Sequence, residues 1–153
     1  MNVTTSFEVA APLAAVWAHM LDVPAVARCV PGAELTEVVD ERTYAGKIEV
    51  KLGPIAVGYR GRLRIEAIDE AAHEVRLRAE GNESRGRGGA SATVTASLRE
   101  VDARTEVTMV SEVAVSGIVA QFGRSAIMQE VAQRMAKRFA ACLEQDLKAS
   151  RTV

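Results

Sequence analysis

The stretch Tyr44–Glu66, YAGKIEVKLGPIAVGYRGRLRIE, decides the fold. Tyr44, Gly46, Ile48, Val50 and Leu52 alternate with Ala45, Lys47, Glu49 and Lys51. After the turn signal Gly53-Pro54 the period of two resumes. Ile55, Val57, Tyr59, Gly61, Leu63 and Ile65 alternate with Gly58, Arg60, Arg62, Arg64 and Glu66. A period of two over this length predicts two half-buried strands joined as a hairpin. The same pattern continues through Val75, Leu77, Ala79 and Gly81, then through strands at about 90–100 and 105–116. Short connections between consecutive strands predict an antiparallel meander with one apolar and one wet face.

Upstream, residues 3–9 read as a further strand. Pro12 opens a helical stretch, Leu13 to Leu21, and Asp22 caps a second, Pro24 to Val30, which Pro31-Gly32 ends. Downstream, Gly117 ends the sheet. The remainder to about Leu147 reads as one amphipathic helix with Phe122, Ile127, Val131, Met135, Phe139 and Cys142 on its apolar stripe. The expected fold class is therefore α+β: about six to seven bent antiparallel strands around a long C-terminal helix, with two short helices after strand 1. Neither element can bury its apolar face alone, so the sheet must turn toward the helix. Glycines inside strands (Gly46, Gly58, Gly61, Gly81) mark where it can bend.

Length and composition bound the rest. The chain has 153 residues, 48% hydrophobic and 25% charged, with a net charge of −1. That suits one domain, residues 1–150, with a single core. A balanced charge supplies no long-range field for nucleic acid. There is neither a signal-peptide pattern nor an apolar run of spanning length, so a soluble, cytoplasmic protein is expected. Cys29 and Cys142, far apart in sequence, read as unpaired thiols packed like small hydrophobes.

The large apolar side chains Trp17, Met20, Tyr44, Tyr59, Met109, Phe122, Met128, Met135 and Phe139 are candidate cavity-lining residues. They also suit plain core packing. However, aromatic residues are only 4% of the chain, and small residues on the inner sheet face fill space poorly. Arg60, Arg62 and Arg64, followed by Arg76 and Arg78, form a stripe on the outer face. Among Glu66, Glu74 and Glu80 it reads as a solvated, cross-strand-paired surface, with partner docking as the alternative. No aromatic residues interleave with it for base stacking, which argues against nucleic acid. The glycine-rich segment 81–89 leads into a strand rather than a helix, so it reads as a hairpin and not a phosphate loop. His19 and His73 stand in no metal-ligand spacing, and no nucleophile signature occurs. Catalytic and metal residues are accordingly expected to be absent.

Several blocks carry a family resemblance: FEVAAPLAAVW (Phe7–Trp17), VPGAE (Val30–Glu34), KLGPI (Lys51–Ile55), YRGRL (Tyr59–Leu63) and GIVAQFG (Gly117–Gly123). Together they resemble the carbon monoxide dehydrogenase CoxG family of the START/Bet v 1-like (SRPBCC) superfamily. The resemblance implies the helix-grip fold and a non-enzymatic accessory of a molybdenum hydroxylase of the carbon monoxide dehydrogenase type. It implies a hydrophobic ligand, quinone or lipid-like, in an internal cavity, with no covalently bound cofactor. It also implies a link between enzyme and cytoplasmic membrane through transient peripheral contact at its inner face. Some members carry a membrane-directed C-terminal segment; this sequence stops at Val153 without one, so permanent anchoring is not expected. Two alternatives stay open: a cyclase- or dehydratase-like enzyme using the same cavity, and an interaction module docking through the arginine face.

Overall fold

The computed structural model describes residues 1–122 and 126–151. The order is β1 (Asn2–Val9), α1 (Leu13–Met20), α2 (Val23–Cys29), β2 (Ala33–Val38), β3 (Thr43–Leu52), β4 (Ile55–Asp69), β5 (Glu74–Glu83), β6 (Gly89–Val101) and β7 (Arg104–Val115). A 3-10 segment (Gly117–Phe122) and α3 (Ala126–Arg151) follow. All seven strands form one antiparallel sheet in the order β1-β7-β6-β5-β4-β3-β2. The expected α+β helix-grip architecture is therefore present. Two features differ from expectation. The region after Gly117 begins as a 3-10 segment through Phe122, with the long helix described from Ala126; Gly123 lies outside the described residues. A strand also occupies Ala33–Val38, where a register shift between Leu35 and Glu37 breaks the alternation that would have revealed it.

The long helix α3 lies along edge strand β1. Gln129 Nε2 donates to the Thr4 carbonyl at 2.7 Å and Gln133 Nε2 to the Ser6 carbonyl at 3.2 Å, so side chains satisfy part of the free strand edge. Val3, Thr5, Phe7 and Val9 are buried in strict alternation on this strand. Phe7 meets Phe139 of α3 edge to face, with ring centroids 5.6 Å apart. The main core gathers Phe7, Val9 and Phe139 with Val16, Trp17, Ile65, Val75, Leu98, Val107 and Leu143 at the α1/α2 end. A smaller cluster of Leu52, Val57 and Val119, with Tyr59, Met128 and Val131 packed against it, closes the opposite end.

Between the two clusters the inner face is nearly bare. One register line crosses four strands as Gly46↔Gly61↔Gly81↔Ala90, the next as Tyr44↔Leu63↔Ala79↔Ala92. A Cβ on Gly61 would run into the Glu80 carbonyl and the Gly81 Cα, so β4 and β5 coil too tightly here for any side chain. Cys29 and Cys142 are joined as a disulfide tying the end of α2 to α3. This corrects the expectation of separate thiols: two cysteines far apart in sequence come together because α2 packs on α3, which no spacing rule anticipates.

Candidate functional site

The bare stretch of sheet is the floor of an apolar cavity of about 340 Å³. Its roof is α2, through Val23, Val26, Ala27 and Val30. Tyr44, Ile48, Tyr59, Leu63 and Val113 form its walls, and Gly46, Gly61, Gly81, Ala79, Ala90 and Ala92 its floor. Polar lining is confined to Glu34, Lys47, Arg62, Glu80 and Ser91. Glu34 and Lys47 pair with each other at 3.4 Å where β2 meets β3, both substantially exposed, so they mark a rim rather than the interior. The roof is held by local chemistry. Asp22 caps α2, its Oδ1 accepting from Ala25 N–H at 3.2 Å, and Pro24 sits in the first turn where no donor is needed.

Of the nine candidate cavity residues, Tyr44 and Tyr59 line this space. Trp17 and Phe139 are buried in the main core, with Met20 and Met109 packed against it. Trp17 is fixed there by its Nε1–H donating to Glu70 Oε2 at 2.7 Å and by edge contact with His73. Met128 packs on the smaller cluster. Met135 is half-buried on α3, in neither cluster and outside the lining. The Phe122 side chain lies outside the described residues. Among the described residues the lining takes nothing from α3: the large side chains fill the two ends, and small residues beneath α2 leave the middle open.

The two tyrosines differ chemically. The Tyr44 hydroxyl donates to the Glu41 carbonyl at 3.2 Å. The Tyr59 hydroxyl makes no hydrogen bond to any described residue. Burial, and then the negative charge of Glu83, push its pKa up, so it stays a protonated donor. Glu83 lies opposite Tyr59 in the β4–β5 ladder and is 4% exposed. Arg87 grips it, Nε donating to Oε1 at 2.7 Å, and the Arg85 and Arg87 backbone N–H groups donate to Oε2. These donors, the Arg87 guanidinium first, hold the carboxyl below its ordinary pKa. Glu83 was not singled out from the sequence. The signal was there: one more step of the Val75, Leu77, Ala79, Gly81 alternation places it on the inner face.

On the outer face, Arg60, Arg62 and Arg64 are exposed. Arg60 and Arg62 border an open groove with Arg78, Glu80, Asn82 and Ser116. Arg78 pairs with Glu80 at 2.9 Å and Arg76 with Glu66 at 3.5 Å. Among the described residues neither Arg60 nor Arg62 has an acidic partner.

A sheet gripping a C-terminal helix, with two short helices after the first strand and an apolar hollow under the second of them, is the Bet v 1-like fold. Solved structures share this fold. A conserved protein from Geobacillus kaustophilus superposes with a TM-score of 0.83 at 21% identity, over 98% of this chain and 97% of that one. The Zhui aromatase/cyclase from Streptomyces sp. R1128 gives 0.64 at 16%, over 97% and 93%. The structure of Ara h 8.0201 gives 0.61 at 13%, over 97% and 98%. No curated protein matches the sequence. Residues 5–148 match the family of CoxG, a subunit of carbon monoxide dehydrogenase, and the chain belongs to that family.

Proposed function

We propose that this protein is a non-catalytic accessory of a molybdenum hydroxylase of the carbon monoxide dehydrogenase type, carrying a quinone or lipid-like molecule in the cavity under α2. The carrying observation is that cavity: about 340 Å³, mostly apolar on floor, walls and roof, with the Tyr59 phenol making no hydrogen bond to any described residue. Its volume is at the small end for ligand sites, enough for a ring system and a short chain. A protonated Tyr59 hydroxyl is suited to donate to a carbonyl oxygen such as a quinone's. Membership of the CoxG family supports the assignment of the partner enzyme. It also supports a cytoplasmic setting with peripheral contact at the inner face of the membrane, where an apolar ligand would be exchanged.

The cyclase-like alternative requires an acid–base pair aimed into the cavity. Glu83 is already held by three donors from its own hairpin, which favours carriage over chemistry.

Titration with a short-chain naphthoquinone, followed by quenching of the single tryptophan or by calorimetry, tests the proposal. Saturable one-to-one binding is expected. Ala79→Leu, which places a large side chain on the cavity floor, should abolish it while leaving the circular dichroism spectrum unchanged. Tyr59→Phe should weaken it by a factor of about 2–12, the worth of one hydrogen bond. No saturable binding of quinones or fatty acids by the folded protein would overturn the proposal.

A further inference from the structure

The end of α2 remote from its Asp22 cap carries a second constellation, unrelated to the cavity lining. Cys29 closes α2, and Cys142 faces it from α3, with the two Cα atoms 5.4 Å apart. Asp146, one helical turn beyond Cys142, brings Oδ2 to 3.5 Å from Cys29 Sγ. The same oxygen is 3.5 Å from His19 Nε2 on α1. One sulfur from each cysteine and a carboxylate oxygen of Asp146 all lie within 4.8 Å of one another.

Two of these contacts are poorly explained by the disulfide alone. A disulfide sulfur has no proton to give, so the approach of the Asp146 oxygen to Cys29 sets lone pair against lone pair. His19 Nε2 is buried without a hydrogen bond to any described residue, 3.5 Å from the Asp146 oxygen and within ion-pair reach of it. Leaving a buried polar atom unsatisfied costs about 1–3 kcal/mol. Two cysteine sulfurs and a carboxylate oxygen converging from α2 and α3, with the His19 imidazole of α1 against that carboxylate, are by contrast a donor set of the kind that holds zinc.

We propose that in the reduced protein His19, Cys29, Cys142 and Asp146 form a four-coordinate site for a borderline-soft divalent cation of the zinc class. The disulfide and the metal are then alternative fastenings of α2 to α3. Reduction by a low-molecular-weight thiol breaks the S–S bond: two electrons and two protons enter as two reductant thiols become one disulfide. The cation then displaces the two thiol protons. The sulfurs move apart to roughly 3.8 Å, the edge of a tetrahedron with metal–sulfur bonds of about 2.3 Å. Thiolate and imidazole donors select such an ion over magnesium or calcium. This inference does not depend on the cavity's ligand.

The test uses the full chain, reduced with a phosphine, desalted without oxygen and titrated with Co2+ and then Zn2+. One Co2+ per chain is expected, with a thiolate-to-cobalt charge-transfer band that Zn2+ abolishes. The disulfide form should show no such band. Asp146→Asn and His19→Gln should each weaken Co2+ binding by about tenfold or more, and Cys142→Ser should remove the charge-transfer band. The reduced wild-type chain needs no substitution, so a variant that fails to fold does not blunt the result. Absence of the band in reduced wild type, or equal Co2+ uptake by the reduced and disulfide forms, overturns the proposal.

Discussion

Tyr59 and Glu83 face each other across the β4–β5 ladder, a neutral phenol lining an apolar cavity beside a carboxylate that its own hairpin neutralises. The pairing ties the glycine-rich hairpin to the cavity wall. Gly88 and Gly117, both at positive φ, let the hairpin backbone pass directly over the start of the 3-10 segment. The charge of Glu83 is therefore a structural element of the cavity's end.

This arrangement makes acid stability depend on Glu83. Its folded pKa is depressed, so its contribution is fully present above the unfolded carboxylate value and lost as pH falls through the folded one. Urea midpoints measured between about pH 7 and about pH 3 should fall for wild type, and fall less steeply for Glu83→Gln. Equal slopes for the two proteins would show that the carboxylate carries no folded-state shift.

Gly61→Ala should destabilise the protein by about 1–3 kcal/mol, the range for forcing a group into filled space. The added Cβ meets backbone atoms of β5, which cannot rotate away. Gly53→Ala is a poor comparison because that residue has positive φ, but Ala56→Gly, on the exposed side of β4, should cost far less. Chemical denaturation of the two variants gives the contrast directly.

Reducing the Cys29–Cys142 disulfide in the presence of a chelator should lower stability by about 3–5 kcal/mol, because the bridge closes a very long loop in the unfolded chain. The cysteines are 113 positions apart. A urea midpoint unchanged by reduction would mean that helix packing alone fixes α2.

Asp22→Ala should cost about 1 kcal/mol by removing the cap on α2. Because α2 is the cavity roof, hydrogen exchange should rise first at Ala25 and Val26, the amides of its opening turn. Uniform loss of protection across the sheet instead would place α2 within the global folding unit.

Most of the sheet is legible in the sequence, because half-burial imposes a period of two on Tyr44–Ile65 and on β5 to β7. The edge strand β2 is not. It packs chiefly against β3 and loses its alternation at the bulge between Leu35 and Glu37. The long helix is placed correctly over most of its length, but its start is read too early from sequence, since Gly117–Phe122 shares the apolar character of α3.

The site divides differently. That small residues line the inward face of the sheet is legible in the sequence, but the pattern leaves open whether the space beneath them is packed or hollow. Which large residues border the hollow is not legible either. Tyr44 and Tyr59 do so, whereas Trp17, Phe139 and Met128 are drawn into packed ends by contacts with elements far away in the chain.

The sequence by itself determined the strand pattern, the capped short helix, the bare inner face and the family, since each depends on local period or contiguous blocks. Only the tertiary structure decided that α2 forms the roof, that Glu83 stands behind Tyr59, and that Cys29 meets Cys142. Those relations arise from how a coiled sheet and three helices close on one another, across separations that no local pattern encodes.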